Sequence, residues 1–199
     1  CRLLAAARTV ENLEKLEAAN PDAIRACPCD MKDLEAVAAL PTQAVHEFGQ
    51  LDIVVNNAGI APAGSFLDQD DEVWDDVFTV NVTAPAMLAK AAGRIMVEQG
   101  SGKIINVAST SGILGKRLLV AYSSSKGAVL QFTKSLAAEL ARKGVQVNAI
   151  APGAFVTDAQ RAVLNSPDIL ASRIAKIPSK RMGESDEIGP LVCYLASPL

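Results

Sequence analysis

Along the chain, short and mainly apolar runs alternate with longer stretches in which apolar residues recur every three or four positions. The short runs predict strands buried on both faces, and the longer ones predict amphipathic helices. A strand over residues 2–7 runs out at Arg8-Thr9 and is followed by a helix over 10–19 on Val10, Leu13 and Leu16. Thr9 is placed to cap that helix, and Asn20-Pro21 stops it. Residues 23–29 read as a strand ending at Asp30, with the next helix from Asp33 to Phe48. Pro41 falls inside that helix, and its missing N–H predicts a kink or break. A buried strand over 51–55 precedes a long helix over 71–98, whose stripe includes Trp74, Val77, Phe78, Leu88 and Ile95. Gly100-Ser101-Gly102 then turns the chain into a strand over 103–108. A helix over 122–142 ends at Gly144, and a strand over 145–150 ends at Pro152-Gly153. Residues 158–182 carry Pro167 and Pro178 and read as a mobile flap, before a last helix over 184–196.

This alternation predicts an α/β fold with a doubly wound parallel sheet in a single domain. In such sheets ligands bind beyond the carboxyl ends of the strands. Asn56, Ser109 and Pro152 each follow a strand end, so all three should converge on that edge.

Bulk properties narrow the field mainly by exclusion. A chain of 199 residues, 50% hydrophobic, can bury one sizeable core. A net charge of −3 lacks the basic stripe of a nucleic-acid-binding surface. No apolar run is long enough to span a membrane. The four cysteines have no zinc-ligand spacing, and free thiols in a reducing, cytoplasmic setting are expected. The single histidine, His46, sits in a helical stretch as a solvated residue. With no Gly-x-Ser-x-Gly elbow and no histidine cluster, neither a serine hydrolase nor a metal site is expected.

The chemistry concentrates between residues 103 and 139. Tyr122 and Lys126 are four apart and share a helix face. An ammonium beside a phenol favours the phenolate, which equips a tyrosine to exchange protons near neutral pH. Ser109, thirteen residues earlier at a strand end, can bring a hydroxyl to the same point. Alone, Tyr-x-x-x-Lys is equally a surface pair on an amphipathic helix.

With Ser109, Tyr122 and Lys126 in this order, the chain also carries Asn56-Asn57-Ala58-Gly59, Asn81 and Asn148-Ala149-Ile150-Ala151-Pro152-Gly153. Together these motifs resemble the short-chain dehydrogenase/reductase family over nearly the whole chain. The resemblance implies a Rossmann-like NAD(P)-binding domain and an enzyme interconverting a ketone and a secondary alcohol. It implies a catalytic set of Asn81, Ser109, Tyr122 and Lys126. Cofactor contacts would come from Arg8, Thr9, Asp30, Met31, Asn57, Ala58 and Gly59. Tyr122, Lys126, Pro152, Gly153, Phe155 and Thr157 would supply the rest. Asp30 is alternatively an N-cap for residues 31–40, and Asn57-Ala58-Gly59 an ordinary turn. Both a 3-oxoacyl-thioester reductase and a sugar or polyol dehydrogenase fit, and a non-catalytic nucleotide-binding relative is the alternative. Homo-dimers or homo-tetramers paired through the helices at 71–98 and 122–142 are the family's common assemblies. Ser111, Ser123, Ser124 and Ser125 read as packing or capping residues.

The glycine-rich phosphate loop of a dinucleotide fold is missing, as is the family's final strand, so the chain is expected to be a partial domain, inactive on its own, and the activity that of its parent protein. The missing first strand belongs between the strands ending at Ala7 and Val55, leaving two inner edges unpaired. Arg8 at the end of the first strand present, with no acid until Glu11, predicts a preference for NADP(H) over NAD(H). Pro85 cannot donate to the Asn81 carbonyl, which predicts a distorted helix at 80–85 and an Asn81 carbonyl facing Lys126.

Overall fold

The structure is a computed structural model and describes residues 1–157 and 164–198. Strands and helices alternate from the start. They are β1 (Leu3–Ala7), α1 (Val10–Ala19), β2 (Ile24–Pro28), α2 (Leu34–Phe48) and β3 (Ile53–Asn56). Next come α3 (Asp71–Phe78), a π-helical turn (Thr79–Thr83), α4 (Ala84–Gln99), β4 (Gly102–Val107) and the short α5 (Ser111–Leu114). The chain continues through α6 (Val120–Leu140), β5 (Val145–Ile150), α7 (Pro167–Ala175) and α8 (Gly189–Ala196).

All strand pairs are parallel, but they form two sheets rather than one. β1 pairs with β2, and β3, β4 and β5 pair in that order. The facing edges of β1 and β3 are not hydrogen-bonded to each other; they flank a cavity of about 800 Å³. The expectation of two unpaired inner edges between these strands matches this arrangement. Within the larger sheet, Ile104 and Ile105 are adjacent on β4 and both fully buried, so β4 is covered on both faces. Met96 of α4 and Leu140 of α6 close the same core. Truncating a residue as buried as Met96 to alanine costs about 2–5 kcal/mol.

Several boundaries differ from the sequence reading, each for a local reason. α2 runs unbroken from Leu34 to Phe48 through Pro41. The proline removes one backbone donor, but its ring is buried within the helix's packed face, which holds the flanking turns in line. The cap of α2 is Asp33, whose carboxylate accepts from the Ala36 N–H at 3.0 Å, and not Asp30. Asp30 instead accepts from the Lys32 N–H at 2.9 Å in a tight turn. Thr9 stands at the N-cap of α1 in extended conformation, without a side-chain capping bond. The long helix at 71–98 is three pieces, with the π-helical turn in its middle. Of the segment read as a flap, residues 158–163 lie outside the described residues, and the remainder carries α7. Among the described residues, no helix is long and apolar enough to cross a membrane.

Candidate active site

The π-helical turn is a local consequence of sequence. Pro85 removes the donor that would bond the Asn81 carbonyl, so the helix widens there. The Ala84 N–H reaches back five residues to the Thr79 carbonyl. The widened turn buries Asn81 at 1% exposure. Its side-chain Oδ1 accepts from the Ile60 N–H at 2.8 Å, and its Nδ2 donates to the Ile60 carbonyl at 2.9 Å. Asn81 therefore grips the main chain just after Asn57-Ala58-Gly59.

Gly59 stands where Asn81 and Lys126 meet. A methyl at this position would lie 3.2 Å from Asn81 Oδ1 and 3.5 Å from Lys126 Nζ. Lys126 enters from α6, is 4% exposed, and donates to the Val107 carbonyl at the end of β4 at 2.6 Å. That burial pushes its ammonium down to about 8. The same ammonium lies 5.8 Å from the centroid of the Tyr122 ring, within cation–π range. Tyr122 is half-buried one turn earlier on α6. Ser109 follows β4 two residues after the Val107 carbonyl and is buried; its Oγ accepts from the Ser111 N–H at 3.1 Å. The end of β4 thus presents Ser109 and anchors Lys126 together.

A second constellation surrounds the cavity between the sheets. Arg8, Thr9, Asp30, Met31, Asn57, Ala58 and Gly59 all line it. These come from the carboxyl ends of β1, β2 and β3, as the parallel topology dictates. Tyr122, Lys126, Pro152, Gly153, Phe155 and Thr157 lie outside that cavity. Pro152 is instead tied to the loop of Ser109, its carbonyl accepting from the Thr110 N–H at 3.0 Å. Phe155 bridges to Gly183 as an isolated strand pair, flanked by the Val156 N–H to Gly183 carbonyl bond at 2.8 Å. Arg181 forms a two-pronged pair with Glu187 at 2.7 Å per bond. This pairing holds the Glu187 carboxyl down at about 2.

Behind the site runs a buried polar chain that the sequence reading passed over. Asn56 Nδ2 donates to Asn106 Oδ1 at 2.8 Å, and Asn106 Nδ2 donates to Thr133 Oγ1 at 2.8 Å. Thr133 passes its own hydrogen to the Val129 carbonyl at 2.7 Å. The chain laces β3 to β4 and β4 to α6. Its signal in the sequence was a polar residue inside each apolar strand, Asn56 and Asn106.

A nicotinamide dinucleotide fits these residues on their chemistry. Gly59, free of a side chain, keeps the approach to Lys126 open, and the carboxyl ends of β1 and β2 bring the Arg8 cation and the Asp30 carboxylate to the cavity. Among the described residues, no cluster of three His, Cys, Asp or Glu side chains could hold a metal ion.

Comparison with known proteins agrees with this reading. Residues 3–199 match the family described as enoyl-(acyl carrier protein) reductase. The chain is 42% identical over 168 residues to nodulation protein G of Azospirillum brasilense, covering 84% of this chain and 68% of that protein. It is 40% identical over 164 residues to the 3-oxoacyl-[acyl-carrier-protein] reductase FabG of Vibrio cholerae, covering 82% and 66%. Among solved structures it superposes on an NAD+-bound xylitol dehydrogenase with a TM-score of 0.91 at 31% identity, covering 98% of this chain and 82% of that one. Motifs, topology and relatives agree: the chain belongs to the short-chain dehydrogenase/reductase family and is an NAD(P)-dependent oxidoreductase that interconverts ketones and secondary alcohols.

Proposed function

We propose that Asn81, Ser109, Tyr122 and Lys126 carry the proton chemistry of this oxidoreductase. The observation that carries the assignment is the Lys126 ammonium, buried, held by the Val107 carbonyl and 5.8 Å from the Tyr122 ring centre. The bound nicotinamide dinucleotide supplies or accepts the hydride. In reduction the Tyr122 hydroxyl gives its proton to the carbonyl oxygen, and in oxidation it takes the alcohol proton. Lys126 favours the phenolate left behind and orients the cofactor ribose. Ser109 donates a hydrogen bond to the same substrate oxygen, stabilising the charge that develops there. Asn81, through its main-chain carbonyl, links Lys126 to a proton path.

The cofactor rests on Arg8, Thr9, Asp30, Met31, Asn57, Ala58 and Gly59, and on Pro152, Gly153, Phe155 and Thr157 beside the nicotinamide end. Arg8 on the cavity edge favours NADP(H). The substrate is a 3-oxoacyl thioester or a sugar or polyol. The domain is partial in our reading, since the unpaired edges of β1 and β3 are those a further parallel strand would satisfy. Homo-dimers or homo-tetramers would form through α3, α4 and α6, a reading supported by the exposed Trp74 on α3 and the exposed Phe66 and Leu67 just before it. The four free cysteines fit a reducing, cytoplasmic setting. The test is NADPH oxidation by the parent protein with a panel of 3-oxoacyl thioesters and ketoses. Tyr122→Phe should abolish turnover while retaining NADPH binding; turnover within a few-fold of wild type would refute the assignment.

A further inference from the structure

Ser125 is fully buried, one residue before Lys126 and three after Tyr122. Its hydroxyl donates to the Tyr122 carbonyl at 2.8 Å and accepts from Asn81 Nδ2 at 3.0 Å. The other Nδ2 hydrogen goes to the Ile60 carbonyl, so both are committed. The neighbouring serines behave differently. Ser124 is exposed, and Ser123 Oγ is buried without a partner among the described residues.

A serine that bonds the carbonyl one turn back is ordinarily a local device. Here the second bond comes from a residue 44 positions away, on the π-helical turn. One atom must therefore donate and accept at once, and a hydroxyl does both. Alanine does neither. It would leave a buried Asn81 N–H without its acceptor, and the carboxamide would turn toward another partner. Asn81 Oδ1 and Lys126 Nζ border the same face of Gly59, so a turn of Asn81 changes the surroundings of the ammonium directly.

We propose that Ser125 is a positioning residue that fixes the turn of α6 bearing Tyr122 and Lys126 against the π-helical turn and the Gly59–Ile60 main chain. The proposal rests on the assignment of Tyr122 and Lys126 made above. Ser125 acts through Asn81 and touches neither substrate nor cofactor.

The test compares Ser125→Ala, Ser123→Ala, Asn81→Ala and the Ser125→Ala/Asn81→Ala double variant. The readouts are kcat, KM for NADPH, melting temperature and hydrogen exchange of the Asn81 side-chain amide by NMR. Ser125→Ala is expected to lower kcat roughly tenfold or more with KM little changed, because only the geometry at the reacting atoms is disturbed. Its Asn81 amide protons should exchange at least ~10-fold faster, reporting the lost partner. Ser123→Ala should match wild type in every readout. The double variant should be no slower than Asn81→Ala. Wild-type kcat in Ser125→Ala, or losses that multiply in the double variant, would overturn the proposal. Should Ser125→Ala fail to fold, Ser125→Cys carries the test: a thiol bonds weakly, so a roughly threefold loss of kcat is expected, and wild-type kcat overturns the proposal. A parent protein inactive on the whole substrate panel would refute the assignment of Tyr122 and Lys126. The Asn81 amide exchange would still decide whether Ser125 holds that side chain.

Discussion

Gly112 lies so close to Lys126 that a methyl group at position 112 would fall 2.5 Å from the Lys126 carbonyl carbon and 2.7 Å from the Gly127 nitrogen. Main chain meets main chain here, so neither side can yield by turning a side chain. The contact presses the loop that follows Ser109 onto the turn of α6 that carries Lys126. Gly112→Ala is therefore expected to push the two apart. Overpacking of this kind costs about 1–3 kcal/mol of stability. Displacement of the Ser109 hydroxyl relative to Tyr122 by roughly 1 Å would lower kcat on the order of 100-fold. Gly127→Ala is the control, because its methyl would meet only the Gly112 carbonyl at 3.4 Å. Steady-state kinetics and urea unfolding of both variants check the prediction. Equal losses in the two would contradict it.

The buried chain Asn56–Asn106–Thr133 makes a second prediction. Thr133→Val keeps the side-chain shape but removes the acceptor of Asn106 Nδ2. A buried donor left unpaired costs about 1–3 kcal/mol. Asn106→Leu removes both bonds and replaces them with apolar bulk, but strands Asn56 Nδ2, while the Thr133 hydroxyl keeps the Val129 carbonyl. Since the residues share one network, the double variant Asn106→Leu/Thr133→Val should lose less stability than the two single losses summed. Denaturant unfolding of the four proteins measures this coupling, and additivity would show that the chain does not act as a unit.

Lys126 makes the stability of the fold depend on pH in a defined direction. Unfolded, its ammonium titrates near an ordinary lysine value of ~10.4; folded, burial pushes it down to about 8. Between those values the unfolded chain holds more protons than the folded one, so stability contributed by this residue rises with pH across the window. Below the folded value the full cost of burying the charge is present, an amount of up to about 3 kcal/mol. Cys27 and Cys29, whose thiols burial pushes up, act in the opposite sense at alkaline pH. They are common to wild type and Lys126→Met, so the difference between the two proteins isolates the lysine. That difference should shift in favour of wild type by about 2–3 kcal/mol as pH rises through the window. A flat difference in urea unfolding would mean that Lys126 is not held as a desolvated cation.

What could be read from sequence, and what could not, follows physical lines. β5 was legible to the residue, because Val145, Val147 and Ala149–Ile150, interleaved with Gln146 and Asn148, lie between a capping glycine and Pro152. The convergence of Asn56, Ser109 and Pro152 on one edge was legible because parallel topology places every strand end on the same side. The π-helical turn was half-legible: Pro85 announced a missing bond, but not that the helix would widen and continue. Pro41 gave the same local signal and a different outcome, since tertiary packing carries α2 straight through it. Ser125 was illegible. Four serines stand within fifteen residues, and only the fold decides that one of them meets Asn81 while Ser123 meets nothing polar. The gap between the two sheets was visible only through the family resemblance, because strand order is not written in local periodicity.

Arg8 decides the last prediction, the choice between the two nicotinamide cofactors. It follows β1 directly and lines the cavity with Asp30, Met31 and Asn57. In doubly wound folds an acid near this strand end binds the ribose 2′-hydroxyl, whereas an arginine accommodates a 2′-phosphate. The first acid after β1 is Glu11, and it is turned along its own helix to pair with Lys15 at 2.7 Å. Glu11 therefore does not compete with the cation at the end of β1. A hydrogen bond to a charged group contributes about 1.5–3 kcal/mol, which corresponds to a preference of roughly 10- to 100-fold. The protein is accordingly expected to show kcat/KM higher for NADPH than for NADH by about that factor. Arg8→Asp removes the cation and sets a carboxylate against the phosphate, so repulsion adds to the lost attraction. The ratio should fall below one, with most of the change in KM for the cofactor and little in kcat, because the 2′ position is remote from the reacting atoms. Raised salt should weaken the wild-type preference and leave that of a neutral Arg8→Ala variant nearly unchanged, since screening acts on the exposed charge pair. Equal or higher efficiency of the wild type with NADH would assign the specificity to other residues of the cavity.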